Sequence, residues 1–400
     1  MSVPAAAVVT SRRGRLVERD DSWLSGLRAA LRSIRNTELR LVVGDHTAGA
    51  DLVCHAASRL GIPHSIVSPP GSSGTNRDQI GTRLHPEHEP VAICAVDEVP
   101  VVDRALFAAA DVVYVLQLRS GGNLHQLLLE RIRQRLGRSI LVDLPNLQPD
   151  TLKAELCLAG AELWKPEPGL CCPLESQLPA TMRSAAGSNV NDTVSRIDDG
   201  VYLVVPFPQA DRWDFLTHST RSRPGPWPGE SFEQYADSLL ESHPDADHSA
   251  LGALCRILAQ KRLIASGETI RGGQRAVSLT ACPLAQLPDL HRFRPHRVRW
   301  DFEPYGLCLR REWLVKRGAR PVNYGDETVW QSLREVDRPY FQLATGKSGI
   351  DWTIEQEWRV GGDLDLSDVA ADEILLFVPD FESAKSLAEL TDWPITLWPG

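Results

Sequence analysis

The 400-residue chain lacks any apolar run approaching the roughly 18 residues that a membrane helix requires, so no membrane span is expected. Its opening MSVPAAAVVTSRRGR places the charges after a very short apolar run, the reverse of a secretory signal, and the expected location is the cytoplasm. Paired cysteines are missing too. The eight cysteines (Cys54, Cys94, Cys157, Cys171, Cys172, Cys255, Cys282 and Cys308) form no CxxC and sit near no histidine at zinc-ligand spacing. That excludes a disulfide framework and an ordinary zinc site, and leaves reduced, mostly buried thiols and no expected metal. Neither GxGxxG nor a phosphate loop ending in GK[ST] is present, and there is no internal repeat. Net positive charge is absent as well. A formal charge of −9 argues against wholesale coating of nucleic acid, while leaving room for a local basic groove.

What is present is material for two cores: 42% hydrophobic and 24% charged residues over this length. The sharpest break in composition is ESQLPATMRSAAGSNVNDTVSRIDDG, which has little apolar periodicity. The expected division is therefore residues 1–174, a linker 175–200 and a second domain 201–400. In the first part, LRLVV from Leu39, VAICAV from Val91, DVVYVL from Asp111 and SILVDL from Ser139 alternate with amphipathic stretches. Such short runs read as buried strands of a doubly wound parallel sheet, an α/β domain. WKPEPGLCCPLE from Trp164 is proline-rich and reads as an irregular connector without helix. The second part orders YLVVPF, two helices (Ser231 to Glu241 and Ser249 to Arg262), several strand-like segments and EILLFVP, which points to α+β.

LRLVVGDHTAGADLVCHAASRLGIP reads as strand, turn and helix, with Gly44 and Gly49 in the turn. Such a turn lets backbone N–H groups and a helix N-terminus face an anion, although a plain βα turn satisfies the same pattern. Gly/Ser-rich loops follow at SPPGSSGTNRDQ and RSGGNLHQ, and loops after successive parallel strands converge on one sheet edge. Asp45, Asp51 and Arg77 are further candidates there, Asp51 equally as a first-turn helix charge. The layout over about residues 38 to 145 resembles the Rossmannoid nucleotide-binding group that includes SLOG and DprA-like domains. That resemblance implies a nucleotide ligand for the first domain.

In the second domain DWTIEQEWRV stands out. As a strand it would put Asp351, Thr353, Glu355, Glu357 and Arg359 on one face and Trp352, Ile354, Trp358 and Val360 on the other. Two carboxylates about 7 Å apart on one face, with an arginine beside them, suit a sugar cation; a solvated strand face is the plain alternative. FLTHSTR crowds His218, Ser219, Thr220 and Arg221 after an apparent first strand, as a binding loop would. RGGQRAVSLTACP puts Ser278 and Thr280 on one strand face. Arg292, Arg294, Arg297, Arg299, Arg310 and Arg311, with Phe293, Trp300, Phe302 and Tyr305 interleaved, could grip a pyrophosphate or a nucleic-acid backbone and stack on bases; core packing is the commoner use of such aromatics. Cys308, between Leu307 and Leu309, reads as buried rather than nucleophilic.

The succession LTHSTR, VSLTACPL, RWDFEPYGLCLRREWL, ARPVNYG, Lys347 and DWTIEQEWRV resembles the bacterial abortive-infection AbiGi-like families over roughly residues 213 to 380, which implies a role in bacterial defence or stress. More distantly the domain resembles ADP-ribosyltransferases, DarT-like members among them. That second resemblance implies NAD as the cofactor consumed, Glu357 as the catalytic carboxylate, Glu355 as the group that orients or deprotonates an acceptor, and His218 or Arg221 as the first-strand anchor. Thr220, Ser278, Thr280, Tyr305 and Arg359 complete the expected cofactor contacts. The middle strand reads SLT where that family has STS. Two functions of different class stay open: an NAD-consuming transferase or NAD glycohydrolase, with a nucleic-acid or protein acceptor, and a non-catalytic antitoxin or immunity-type binding module. A metal-dependent nuclease using Asp301, Glu303, Glu355 and Glu357 is the weakest, because those acids lie on separate segments without DxD spacing. No membrane partner is expected, and oligomerisation stays open.

Overall fold

The structure, a computed structural model, describes residues 4–11, 17–18, 21–45, 47, 49–68, 101–174, 204–267, 270–294, 299–344 and 351–399. The expected linker 175–200, Arg77, the run from Val91, Arg297 and Lys347 lie outside the described residues. The chain gathers into two compact units, Met1–Leu178 with Gly225–Ala246, and Pro179–Pro224 with Asp247–Gly400.

The first unit runs β1 (Ala5–Thr10), α1 (Ser22–Asn36), β2 (Arg40–Gly44), α2 (Ala50–Arg59), β3 (His64–Val67), α3 (Val101–Ala109), β4 (Val112–Gln117), α4 (Asn123–Arg133), β5 (Arg138–Val142), α5 (Asp150–Ala159) and β6 (Glu162–Trp164). All six strands are parallel, in the order β3-β2-β1-β4-β5-β6. This is a doubly wound, Rossmann-like sheet whose order reverses between β1 and β4. Alternation feeds two cores: on β1, Ala6 joins one apolar cluster and Ala5, Ala7 and Val9 the other, and on β4 Tyr114 and Leu116 divide from Val113 and Val115 in the same way. The pivotal strand β1 comes from the opening AAAVVT, where no strand was expected. The proline-rich connector also departs from expectation, because Pro168–Cys171 is a short helix with proline at its first turn, where a missing N–H leaves no bond unmade.

The helix Phe232–Leu240, expected in the second domain, belongs to the first unit. Ser231 and Gln234 form its capping box, and Ala236, Leu239 and Leu240 join the β1–α1 core. His55 Nε2 and Arg59 Nη1 reach Asp237 Oδ1 at 2.7 and 2.9 Å.

The second unit is built on a seven-stranded sheet. Its spatial order is Arg320–Pro321, Glu357–Gly361, Ala276–Thr280, Phe215–Ser219, Gly306–Arg310, Ile374–Val378 and Ile395–Leu397, antiparallel except for the last pair. Leu216, Val277, Leu279, Leu307, Leu309 and Val360 face one core; Phe215, Cys308, Leu375 and Phe377 face the other. Helices Ala250–Gln260, Arg311–Lys316, Glu327–Ser332 and Phe381–Ala388 belong to this α+β unit. Among the described residues, no helix is long and apolar enough to cross a membrane.

Candidate functional site

In the first unit, loops after β1 and β4 meet where the strand order reverses. Ser11 N donates to Gln117 O at 2.8 Å, and Arg119 N donates to Ser11 Oγ at 3.0 Å. Gly44, the last residue of β2, and Gly49, which caps α2, lie one strand away. Gly49 caps α2 in the left-handed region (φ 76°), and a Cβ there would come within 3.1 Å of the Trp23 ring. At Gly44 a Cβ would lie 2.7 Å from Thr47 Cγ2 and 2.9 Å from Val102 Cγ1. Both glycines thus serve the tightness of the turn, whatever it binds.

The expected continuous strand over DWTIEQEWRV is broken. Asp351 Oδ1 accepts from Thr353 N and Oγ1 at 2.9 and 2.6 Å, an Asx turn that curls Thr353–Glu355 into a 3-10 turn. Gln356 then takes a left-handed conformation (φ 42°), and the strand begins at Glu357. Asp351, Thr353 and Glu355 therefore do not share a strand face with Glu357 and Arg359. Glu355 instead hangs on a turn tied down from beside it. Thr280 Oγ1 donates to Glu355 O at 2.5 Å, and Cys282 Sγ to Ile354 O at 3.2 Å.

Around that turn the chain assembles a charged cluster. Asp301, at the end of the Arg299–Asp301 strand, accepts from Arg294 Nε at 2.6 Å, and Arg221 Nη1 lies 3.9 Å from its other oxygen. Burial raises the Glu355 carboxyl to about 7, Glu357 and Asp301 push it further up, and Arg294 and Arg221 partly offset the rise. Glu355 is thus an acid that changes charge near neutral pH.

Arg359, two residues along the strand, donates to both oxygens of Glu357 at 2.8 Å. Arg359 is 2% exposed and also donates to Pro339 O, Phe341 O and Gln342 Oε1. All five of its N–H groups are therefore spoken for, which makes it the clamp on Glu357 rather than a ligand contact. Tyr324 Oη accepts from Glu357 N at 2.8 Å, and burial lifts its phenol to about 12.

The remaining expected residues divide. Ser278 pairs with Arg359 across the strands and Thr280 with Glu357, so both lie beside the carboxylates, although the Thr280 hydroxyl is used in holding the Glu355 turn. His218 and Ser219 lie within the strand Phe215–Ser219 and not in a loop after it. Alternation puts His218 with Leu216 and Leu307, on the face opposite Glu357. Its Nδ1 sits 2.8 Å from Ser278 O, and burial lowers the imidazole to about 4. It is a neutral ring that joins two strands whose ladder runs to the single pair Thr217 and Thr280. Thr220 Oγ1 donates to Ala250 O at 2.7 Å, and Tyr305 packs beside the Leu307 core.

Arg294 and Tyr324 are the members that pattern reading did not place with the two glutamates, and Asp301 was grouped with them only in the nuclease alternative. The NYG of PVNYG was the one hint for Tyr324. Cys308 is buried and its thiol is raised by burial to about 12, which suits packing and not attack. Asp301, Glu355 and Glu357 do converge, yet among the described residues no group of three or more His, Cys, Asp or Glu side chains is placed to hold a metal ion.

No protein-family model matches the chain. No curated protein matches it. Among solved structures it is similar to the molybdenum cofactor carrier protein of Chlamydomonas reinhardtii, at 10% identity over 42% of this chain and 94% of that one, with a TM-score of 0.31. The molybdenum cofactor binding protein of Rippkaea orientalis gives 13% identity, 43% and 94% coverage and 0.30. DNA processing protein A of Streptococcus pneumoniae gives 18% identity, 40% and 58% coverage and 0.27.

Proposed function

We propose that the second unit consumes NAD, as an ADP-ribosyltransferase or an NAD glycohydrolase acting in bacterial defence or stress, and that the first unit binds a regulatory nucleotide where its strand order reverses. The observation that carries the reading is the unequal pair of carboxylates. Glu357 is clamped by Arg359, whereas two residues earlier Glu355 is held where its proton is exchangeable near pH 7.

The donor set fits a dinucleotide. Arg221 is 42% exposed and lies 3.9 Å from Asp301, so its guanidinium can receive a diphosphate. Each Glu357 oxygen accepts one bond from Arg359 and retains a lone pair for a ribose hydroxyl. Bound there, NAD would supply a ribosyl carbon that becomes cationic as nicotinamide departs. The Glu357 carboxylate stabilises such a cation without reorganising, because Arg359 has already oriented it. Glu355 takes the proton from the attacking hydroxyl or water, which requires its ionised form. The succession of motifs shared with the AbiGi-like families supports the setting in defence.

The test is incubation of the full chain with NAD labelled in its adenine moiety, beside Glu357→Gln and Glu355→Gln, with and without DNA, RNA and cell extract. Nicotinamide release or label transfer by the wild type and not by Glu357→Gln is the expected result. No release by any folded form in any mixture would favour the binding-module alternative.

A further inference from the structure

Glu303, one of the acids singled out in the sequence, is not part of the carboxylate pair, and the structure gives it another task. Its Oε1 accepts from both Ser222 N and Ser222 Oγ at 2.8 Å. Ser222 follows Arg221, the guanidinium assigned above to the diphosphate. On the other side of Arg221, Thr220 is buried; its N donates to Tyr305 O at 2.9 Å and its Oγ1 to Ala250 O at 2.7 Å. Beyond Ser222, Arg223 N donates to His248 O at 2.9 Å. The backbone that carries Arg221 is thus tied down before and after it, while the side chain itself stays 42% exposed.

The stretch that supplies Glu303 is shaped for this grip. Asp301 ends the strand Arg299–Asp301, Phe302 turns the chain in the left-handed region (φ 53°), and Glu303 follows. A bulky residue with positive φ is uncommon, because its Cβ crowds the backbone there. Phe302 packs against the core formed by Trp213, Phe215 and Leu284, and such a conformation persists where surrounding packing enforces it. Across this reversal the two acids address one arginine in different ways. Asp301 lies 3.9 Å from the Arg221 guanidinium, whereas Glu303 holds the backbone one residue along. Tyr305 closes the same loop, its N donating to Glu303 O at 2.8 Å and its O accepting from Thr220 N.

We propose that Glu303 is a positioning residue of this site: by holding Ser222 it fixes the backbone from which Arg221 meets the diphosphate of NAD, and so sets the affinity for the dinucleotide without touching it. The inference rests on the reading of Arg221 as the diphosphate contact. An anion met by an arginine on a mobile loop must order that loop, and the cost comes off its affinity; a loop ordered beforehand removes the cost. Hydrogen bonds to a carboxylate are about twice as strong as those between neutral groups, which suits Glu303 to the task. The role asks for an acceptor oxygen and not for a negative charge at the reacting carbon. Glutamine offers that oxygen in the same place, and alanine does not.

The experiment is steady-state nicotinamide release from NAD by the full chain, with Glu303→Ala, Glu303→Gln and Arg221→Met alongside, and calorimetric titration of the same proteins with inorganic pyrophosphate. The expected result is a KM for NAD raised about tenfold or more in Glu303→Ala, with kcat within about twofold of wild type, and a KM within about threefold of wild type in Glu303→Gln. The inflection of kcat near pH 7 should persist in Glu303→Ala, because Glu355 is untouched. Pyrophosphate binding that is lost in Arg221→Met should weaken at least about tenfold in Glu303→Ala and be retained in Glu303→Gln. Ser222→Ala, which removes one of the two bonds, should raise KM by a smaller factor, and serves if Glu303→Ala does not fold. A kcat that falls in both Glu303 variants, or a KM and a pyrophosphate affinity unchanged in Glu303→Ala, would overturn the inference; NAD cleavage by the wild type would then leave the proposed chemistry standing. If the wild type cleaves no NAD, that chemistry fails, and the positioning role fails with it unless pyrophosphate binding needs both Arg221 and the Glu303 oxygen.

Discussion

Replacing Arg359 by methionine removes the clamp on Glu357 and little else by volume. Arg359 is 2% exposed and Glu357's side chain 14%, so the substitution strands a carboxylate in a poorly hydrated place. It also takes a donor from Pro339 O, Phe341 O and Gln342 Oε1. Breaking a buried pair by removing one partner destabilises by about 3–5 kcal/mol. In a unit of roughly 200 residues, with about 2–4 °C for each kcal/mol, a loss near 4 kcal/mol lowers the melting temperature by about 8–16 °C. Glu357→Gln should cost less, because Arg359 keeps its three other acceptors. The double variant should fall short of the sum of the single losses by at least about 1.5 kcal/mol, since the second change removes the stranded charge left by the first. Urea unfolding followed by far-UV circular dichroism, with the second unit's transition fitted separately, supplies the three differences. Additive losses, or a loss below about 1 kcal/mol for Arg359→Met, would refute the clamp.

Other outcomes follow from the same packing. Glu355 is raised from 4.5 to about 7, so the folded chain holds its proton through a window where the unfolded chain releases it. Stability from this group is intact below pH 4.5 and lost as pH rises to 7; Glu355→Gln should match wild type at pH 4.5 and exceed it by at most about 3 kcal/mol at pH 8, measured by urea unfolding. His218 is lowered from 6.5 to about 4, so its contribution is complete above pH 6.5 and lost as pH falls toward 4; His218→Gln should flatten the acid limb of stability in that window. At Gly306 a Cβ would lie 2.2 Å from His218 O and 2.7 Å from the Phe377 ring, so Gly306→Ala should pry the central strands apart and cost about 3 kcal/mol or more in the same assay.

How far these features could be read beforehand depended on whether local pattern decided them. Strands β2, β4 and β5 were legible as branched apolar runs between helices, as a parallel sheet buried on both faces requires. The alanine-rich β1 was not, since alanine has little strand preference and the sheet places it there for closeness between two helical layers. The helix Phe232–Leu240 was legible as a helix, but periodicity says nothing about which core its Ala236, Leu239 and Leu240 will enter. Glu355 and Glu357 were expected on one strand face, but the Asp351 turn and the left-handed Gln356 outweigh the alternating pattern. His218 was grouped with Arg221 in one polar patch, although period-two reading already put it on the same face as Leu216, toward the core.

The most direct measurement is the pH dependence of nicotinamide release from NAD by the full chain, with Glu355→Gln and Glu357→Gln alongside. The prediction is a rate that rises through an inflection near pH 7, loses that inflection in Glu355→Gln and nearly vanishes in Glu357→Gln. A rate indifferent to pH between 5 and 9, or one equal in wild type and Glu357→Gln, would contradict the assignment of this carboxylate pair to NAD chemistry.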